Sequence, residues 1–187
     1  MSAALQETNI APEPADGAAA PPPSFDAIYE AHFALVWRNL RRLGVPEAWV
    51  EDAAQEVFLA IHRRLGDYEG RSSVRTWVFG FVLRVARDHR RRLARKGGGE
   101  PLDEGLSDGA PGPHDRLERK EALALLDAAL SALDDDKRAV FVMGEIEQMT
   151  APEMAAVLGV PLNTVYSRLR LARRDVEREI ARRAGGQ

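Results

Sequence analysis

Apolar side chains recur at three- and four-residue intervals through two stretches of the chain, with polar residues between them. Ser24 is placed to cap a first helix whose inward positions are Phe25, Ile28, Leu35, Val36, Leu40 and Leu43, with Gly44 as its stop. Pro46 suits the first position of a second helix, marked by Val50, Ala54, Val57, Ile61 and Leu65 up to Gly66. After a polar turn over 66–73, Val74, Val78, Phe81, Val82 and Val85 form the next stripe. Further helices are predicted over 117–132, 134–144, 151–158 and 162–183. No stretch alternates with a period of two, so the fold class is all-α.

The helical stretches fall into two groups. Residues 1–23 are Ala- and Pro-rich with almost no large side chains, and nothing there repays the entropy of ordering; a disordered tail is predicted. Residues 97–116, which open with GGGEPLDEGLSDGAPGP, read as a flexible acidic linker. That leaves two small helical domains, 24–96 and 117–184, without an internal repeat between them. Each is short enough for burial to be modest and for partners to matter.

Composition narrows the class. Among 187 residues there is no cysteine, which removes disulfide frameworks, thiolate metal sites and cysteine nucleophiles. No window approaches the ~20 apolar residues of a membrane span, and no signal peptide opens the chain, so a cytoplasmic protein is expected. The net charge of −3 conceals a strong division. Residues 24–96 carry 14 basic against 9 acidic side chains, whereas 118–153 carry 4 against 9 and 154–187 return to a net +4. Basic blocks separated by acidic ones hint at nucleic acid, although solvated faces look the same.

Catalytic chemistry finds no footing. His32, His62, His89 and His114 lack metal-ligand spacing and fit helix surfaces. Phosphate-binding glycine loops and the nucleophile elbow are missing. The acidic pairs Glu51/Asp52 and Asp134–Asp136 suit first-turn helix charge. Neither enzyme activity nor a cofactor or metal is expected.

The run APEMAAVLGVPLNTVYSRL (151–169) has the form of a helix-turn-helix, with a small Ala155 at the crossing, Gly159 at the turn and Val165 inward. Thr150 and Glu153 have capping-box spacing. At 100° per residue the second helix divides cleanly. Val165, Leu169, Ala172, Val176 and Ile180 fall on one side, and Asn163, Tyr166, Ser167, Arg170 and Arg174 on the other. That polar side suits base edges and phosphates in a major groove; a merely solvated face is the alternative. In the first segment Arg84, Arg87, Arg91 and Arg95 line one stripe with Trp77 at its edge. Arginines beside a stacking aromatic describe a single-strand platform, unless Trp77 is simply core. Opposite the buried side of the second helix stand Asp52, Gln55, Glu56, His62 and Arg63, with Leu59 among them. An exposed Leu ringed by polar residues suits a protein-docking face.

DAAQEVFLAIHRRL (52–65), YEGRSSVRTWVFGFVLRVARDHRRR (68–92) and VPLNTVYSRLRLAR (160–173) together resemble the bacterial sigma factors of the extracytoplasmic-function type, which keep only regions 2 and 4. The resemblance covers both compact segments in the right order. It implies region 2 over 24–96 and region 4 over 117–184. It gives Asp52, Gln55, Glu56 and Leu59 a docking role on core RNA polymerase. It assigns Tyr68, Arg71, Ser72, Ser73, Arg75 and Trp77, followed by Arg84, Arg87 and Arg91, to capturing and melting the −10 element. It assigns Asn163, Thr164, Tyr166, Ser167, Arg168, Arg170 and Arg174 to reading the −35 element. Asn163 stands where a small residue is usual, Leu171 where a base is frequent, and Arg87–Arg92 lacks the usual Asn and aliphatic residues. The implied partners are core RNA polymerase, promoter DNA and a dedicated anti-sigma protein. The alternative is a free-standing helix-turn-helix regulator whose first segment senses a signal or dimerises.

Overall fold

The computed structural model describes residues 23–95 and 113–184. The tail expected over 1–23 therefore lies almost wholly outside the described residues, as does most of the linker.

Three helices form the first unit. Helix α1 (Phe25–Arg42) begins where the Ser24 hydroxyl accepts the Ala27 amide, and it closes at Leu43, whose amide donates to the Asn39 carbonyl while the Gly44 amide donates to that of Arg41. Gly44 then takes φ +89°, a conformation that only glycine adopts cheaply. Helix α2 (Glu47–Arg64) follows, with Pro46 as its N-cap rather than its first residue, and tightens into a single turn over Leu65–Asp67. Helix α3 (Val74–Arg95) starts against Ser73, whose Oγ accepts the Thr76 amide. All three pack on one another, burying Ile28, Val36, Leu40, Val50, Val57, Ile61, Val78 and Val82. Each such side chain contributes about 1.5–3 kcal/mol.

The buried face of α3 is broader than the expected stripe. Phe79, Leu83 and Ala86 are buried, whereas Phe81 is only partly so. His89 is buried too, against the expectation of a surface histidine, with Nε2 3.3 Å from Glu56 Oε1. The reason is that α3 is covered on more than one side.

The second unit comprises α4 (Pro113–Ser131), α5 (Asp135–Phe141), α6 (Ala151–Leu158) and α7 (Leu162–Ala184). Helix α4 starts at Pro113, inside the stretch read as linker; proline suits a first helical position. The helix expected over 134–144 ends at Phe141 and widens into a π-turn over Val142–Ile146. Gln148 then adopts φ 53°, the one non-glycine residue among those described with positive φ. Leu130, Ala139, Val140, Met143, Met154, Val165 and Ala172 form the core of this unit.

The two units are not separate beads. Helix α6 packs against α3, and side chains from both units meet in a polar seam.

Candidate functional site

The helix-turn-helix is built as its sequence requires. The Thr150 hydroxyl accepts the Glu153 amide at 3.4 Å while the Glu153 carboxylate accepts the Thr150 amide at 2.8 Å. The Thr150 amide, the Thr150 hydroxyl and the Thr76 hydroxyl all donate to the Glu153 carboxylate, and these three bonds hold it below its usual range. Gly159 closes α6 in the left-handed conformation, φ 65°, its amide donating to the Ala155 carbonyl. Gly144 leaves just enough room for Leu169 and Met154, since a Cβ there would lie 3.4 Å from each.

On α7 the expected division holds inward: Val165, Leu169, Ala172 and Val176 are buried and Ile180 is partly so. Outward, Asn163, Tyr166, Ser167, Arg170 and Arg174 are exposed, Tyr166 to 55%. Ser167 donates to the Thr164 carbonyl at 3.0 Å, and Thr164 is half-buried. Arg168 departs from the rest. It is half-buried and pairs with Asp136 at 2.5 Å, so in this conformation it is a brace to α5 and not a free DNA-facing group.

Residues of the expected −10 surface gather around a cleft of about 630 Å³ between α3 and α6, lined by Arg64, Arg71, Ser72, Trp77, Phe81 and Arg84 among others. Trp77 is half-buried, its ring centroid 5.2 Å from Tyr68 and 4.8 Å from Phe81. It is thus both packed and accessible, and neither of the two expectations for it holds alone. Tyr68 donates to the Ser72 carbonyl at 2.8 Å, fixing the loop ahead of α3. Arg71 pairs with Glu69 at 2.7 Å, and Arg91 with Asp88 at 3.1 Å. Arg84 is exposed.

Arg87 departs from the open stripe that was expected, and Arg75 of the expected −10 surface is likewise paired. Arg75 Nη2 lies 2.5 Å from Glu147, and Arg87 Nη2 lies 3.1 Å from Asp136. Glu147 is only 5% exposed and also receives Asn39 Nδ2 at 3.0 Å and Arg42 Nη1 at 3.3 Å. Arg90 pairs with Asp135, and Thr76 donates to Glu153 at 2.8 Å. Asp134 caps α5, accepting the Lys137 amide at 2.8 Å, and Asp135 and Asp136 lie in its first turn as expected while also reaching across to the other unit. Arg138 is buried, donating to the Leu130 carbonyl at 2.7 Å, and burial together with nearby Arg90 lowers its pKa to about 10.

The third surface is apolar. On α2, Leu59 is 50% exposed beside exposed Asp52 and Gln55, while Glu56 is half-buried and pairs with Arg92 at 3.1 Å. Phe25, Tyr29, Phe33 and Trp37 run as a ladder along α1, and three of these rings also contact Phe58 of α2. Tyr29 and Phe33 remain substantially exposed. Their four-residue spacing was visible in the sequence. Glu147, Asp135, Arg90 and Asn39 carried no local signal, because their partners lie far along the chain.

Among the described residues no group of side chains is arranged to hold a metal ion, and no helix is long and apolar enough to cross a membrane. A helical bundle with an arginine-lined aromatic cleft, followed by a capped helix-turn-helix, defines a two-part helical protein whose second unit has the architecture of a DNA-binding motif.

Two family models match the chain, one in each helical unit. The Sigma-70 region 2 family model matches residues 28–96, and the Sigma-70 region 4 model matches 123–176. The RNA polymerase sigma factor CnrH of Cupriavidus metallidurans is 32% identical over 158 residues, covering 80% of this chain and 83% of its own length. The ECF RNA polymerase sigma factor SigE of Mycolicibacterium smegmatis is 29% identical over 180 residues, covering 95% of this chain and 69% of its own length. The structure of CnrH in complex with the cytosolic domain of CnrY superposes with a TM-score of 0.60 at 29% identity, covering 82% of this chain and 84% of that one. The chain belongs to the RNA polymerase sigma factors of the extracytoplasmic-function group. Both segments match one family, which leaves the free-standing regulator without support.

Proposed function

We propose that this sigma factor docks core RNA polymerase through α1 and α2, opens the −10 element at the Trp77 cleft, and reads the −35 element with the outward face of α7. The exposed row Asn163, Tyr166, Ser167 and Arg170, set on a helix whose buried positions Val165, Leu169, Ala172 and Val176 are all apolar, carries this reading. A recognition helix needs such a division, because its inner face must be fixed before its outer face can read base edges. The role of the cleft rests on its chemistry: a base turned out of the duplex stacks on an aromatic while arginines hold its phosphates. Docking through α2 rests on the half-exposed Leu59 among polar neighbours and on the aromatic ladder beside it, since exposed apolar patches of this kind mark protein contacts.

The segments divide the work as region 2 over 24–96 and region 4 over 117–184. The CnrH structure holds the cytosolic domain of CnrY, and a protein partner of the anti-sigma kind is proposed for this chain on that parallel. The experiment is run-off transcription with purified core enzyme on a promoter library. Specific transcripts that require both chain and core are expected; specific binding to DNA by the chain alone, with no effect on core, refutes the reading.

A further inference from the structure

We propose that Leu162, the first residue of α7, is a specificity-determining residue of the second unit: with the Tyr166 ring beside it, it forms an apolar ledge that meets the C5-methyl of a thymine in the −35 element. The inference deepens the −35 role proposed above for α7 and rests on it.

Among the described residues, Leu162 and Tyr166 are the large apolar side chains that the second unit leaves most exposed, at 40% and 55%. They stand four residues apart on one helix, so their side chains are neighbours on its surface. A single exposed leucine is ordinary, whereas two adjoining apolar side chains at the start of a recognition helix make a surface. The exposure of Leu162 is not what periodicity gives. At 100° per residue it falls in line with Ile180, which packs partly buried against the core, and Val165 three residues on is fully buried. The apolar stripe of α7 thus runs one turn further than the core covers it.

The backbone holds that end of the helix still. The Pro161 carbonyl accepts the Thr164 amide at 2.9 Å and the Val165 amide at 3.3 Å. The Val160 amide returns to the Ala155 carbonyl at 3.2 Å, and Gly159 turns the chain in the left-handed conformation. With these bonds and the buried Val165 fixing the first turn, Leu162 cannot fold away into the core without unwinding it.

Chemistry names what such a ledge meets. In the major groove guanine, cytosine and adenine present donors and acceptors, and thymine adds an apolar group, its C5-methyl. A leucine side chain offers nothing to N7, O6 or N4, so a G·C pair beneath it keeps its polar edge unpaired. The first residues of a recognition helix are the ones that reach base edges. Polar readers remain for the neighbouring pairs: Asn163 and Ser167 are exposed beside the ledge, and Arg170 stands eight residues on, about 12 Å along the axis. That separation is too great for one base pair to serve both Leu162 and Arg170. Burying one methyl is worth about 0.8 kcal/mol, or about fourfold in affinity.

The test is made on the DNA, with the full chain assembled on core RNA polymerase and a promoter taken from the library selection. Each −35 thymine is replaced in turn by deoxyuridine, which lacks only the methyl. At one position the replacement is expected to weaken binding by the parent about fourfold, and Leu162→Ala is expected to bind the thymine and deoxyuridine promoters alike there. Comparing 5-methylcytosine with cytosine at that position reads the same contact without altering the protein, so the inference remains open to refutation even if Leu162→Ala melts; the methyl is expected to strengthen binding by the parent. Indifference of the parent to the methyl at every −35 thymine overturns the inference, as does a methyl effect that a folded Leu162→Ala protein retains. A library that selects no −35 sequence counts against the proposed role of α7 itself. A selected −35 element that ignores the methyl leaves that role standing and removes Leu162 from it.

Discussion

Leu59→Asp separates docking from folding. Leu59 is half exposed on α2, so the substitution forfeits about half of a leucine's burial, on the order of 1 kcal/mol, and about 0.5 kcal/mol of helix propensity. The new carboxylate stands four residues before Arg63, a spacing that returns a few tenths of a kcal/mol. A net loss near 1 kcal/mol lowers the melting temperature of a domain this size by about 4–8 °C and leaves the helix content intact. A central interface residue loses 2 kcal/mol or more on truncation, and a carboxylate placed in an apolar contact adds to that, so affinity for core RNA polymerase should fall by at least about thirtyfold. The neighbouring Phe58→Ala supplies the contrast. Phe58 is only 5% exposed and stacks with three rings of α1, and its truncation costs about 3–5 kcal/mol of stability. Circular dichroism and titration of fluorescent core enzyme measure both quantities. Undiminished core binding by a folded Leu59→Asp protein refutes the docking surface, and unfolding of that protein would place Leu59 in the core.

Arg170 lies nearer the start of α7, where a recognition helix meets base edges, and Arg174 lies a turn further on. Arg170→Ala is expected to relax one or two −35 positions by about 1–3 kcal/mol, whereas Arg174→Ala weakens all sequences alike with a shallower salt dependence; a promoter-library selection at two salt concentrations reads both. Trp77→Ala should slow strand opening about tenfold or more, given about 1–3 kcal/mol per stacked base, as followed by permanganate footprinting. Some loss of thermal stability accompanies it, because the ring also packs on Tyr68 and Phe81. Thr150→Ala removes the cap of α6 and costs about 1 kcal/mol in denaturant unfolding. Because the Glu153 carboxyl is held below its ordinary pKa of 4.5, its contribution is complete above that pH and fades as pH falls through the lowered value; Thr150→Ala should flatten that acid-side loss.

Local rules were legible wherever a residue answers to its near neighbours. Ser24, Gly44, the Thr150–Glu153 box and Gly159 mark helix ends because capping bonds span three or four residues, and each falls where the periodicity breaks. The faces of α7 and the exposure of Leu59 follow from 100° geometry alone. The seam between the units was not legible, since Arg75 and Glu147 are 72 residues apart and nothing around either indicates the other. For the same reason Arg168 and Arg87 read as free cations. The π-turn after Phe141 was hidden because apolar spacing runs on through Val142, Met143 and Ile146 while the backbone widens beneath it.

The division of charge along the chain acquires a second meaning from this seam. The basic stretch over 24–96 and the acidic stretch over 118–153 are opposite in sign, and in the fold they face each other. Arginines gathered along one helix repel one another, and that repulsion has to be offset by solvent, by salt or by a partner. Aspartates and a glutamate from the same chain supply the offset at fixed geometry. The acidity of 118–153 and the basicity of α3 are thus two sides of one seam, and neither is a solvated face alone.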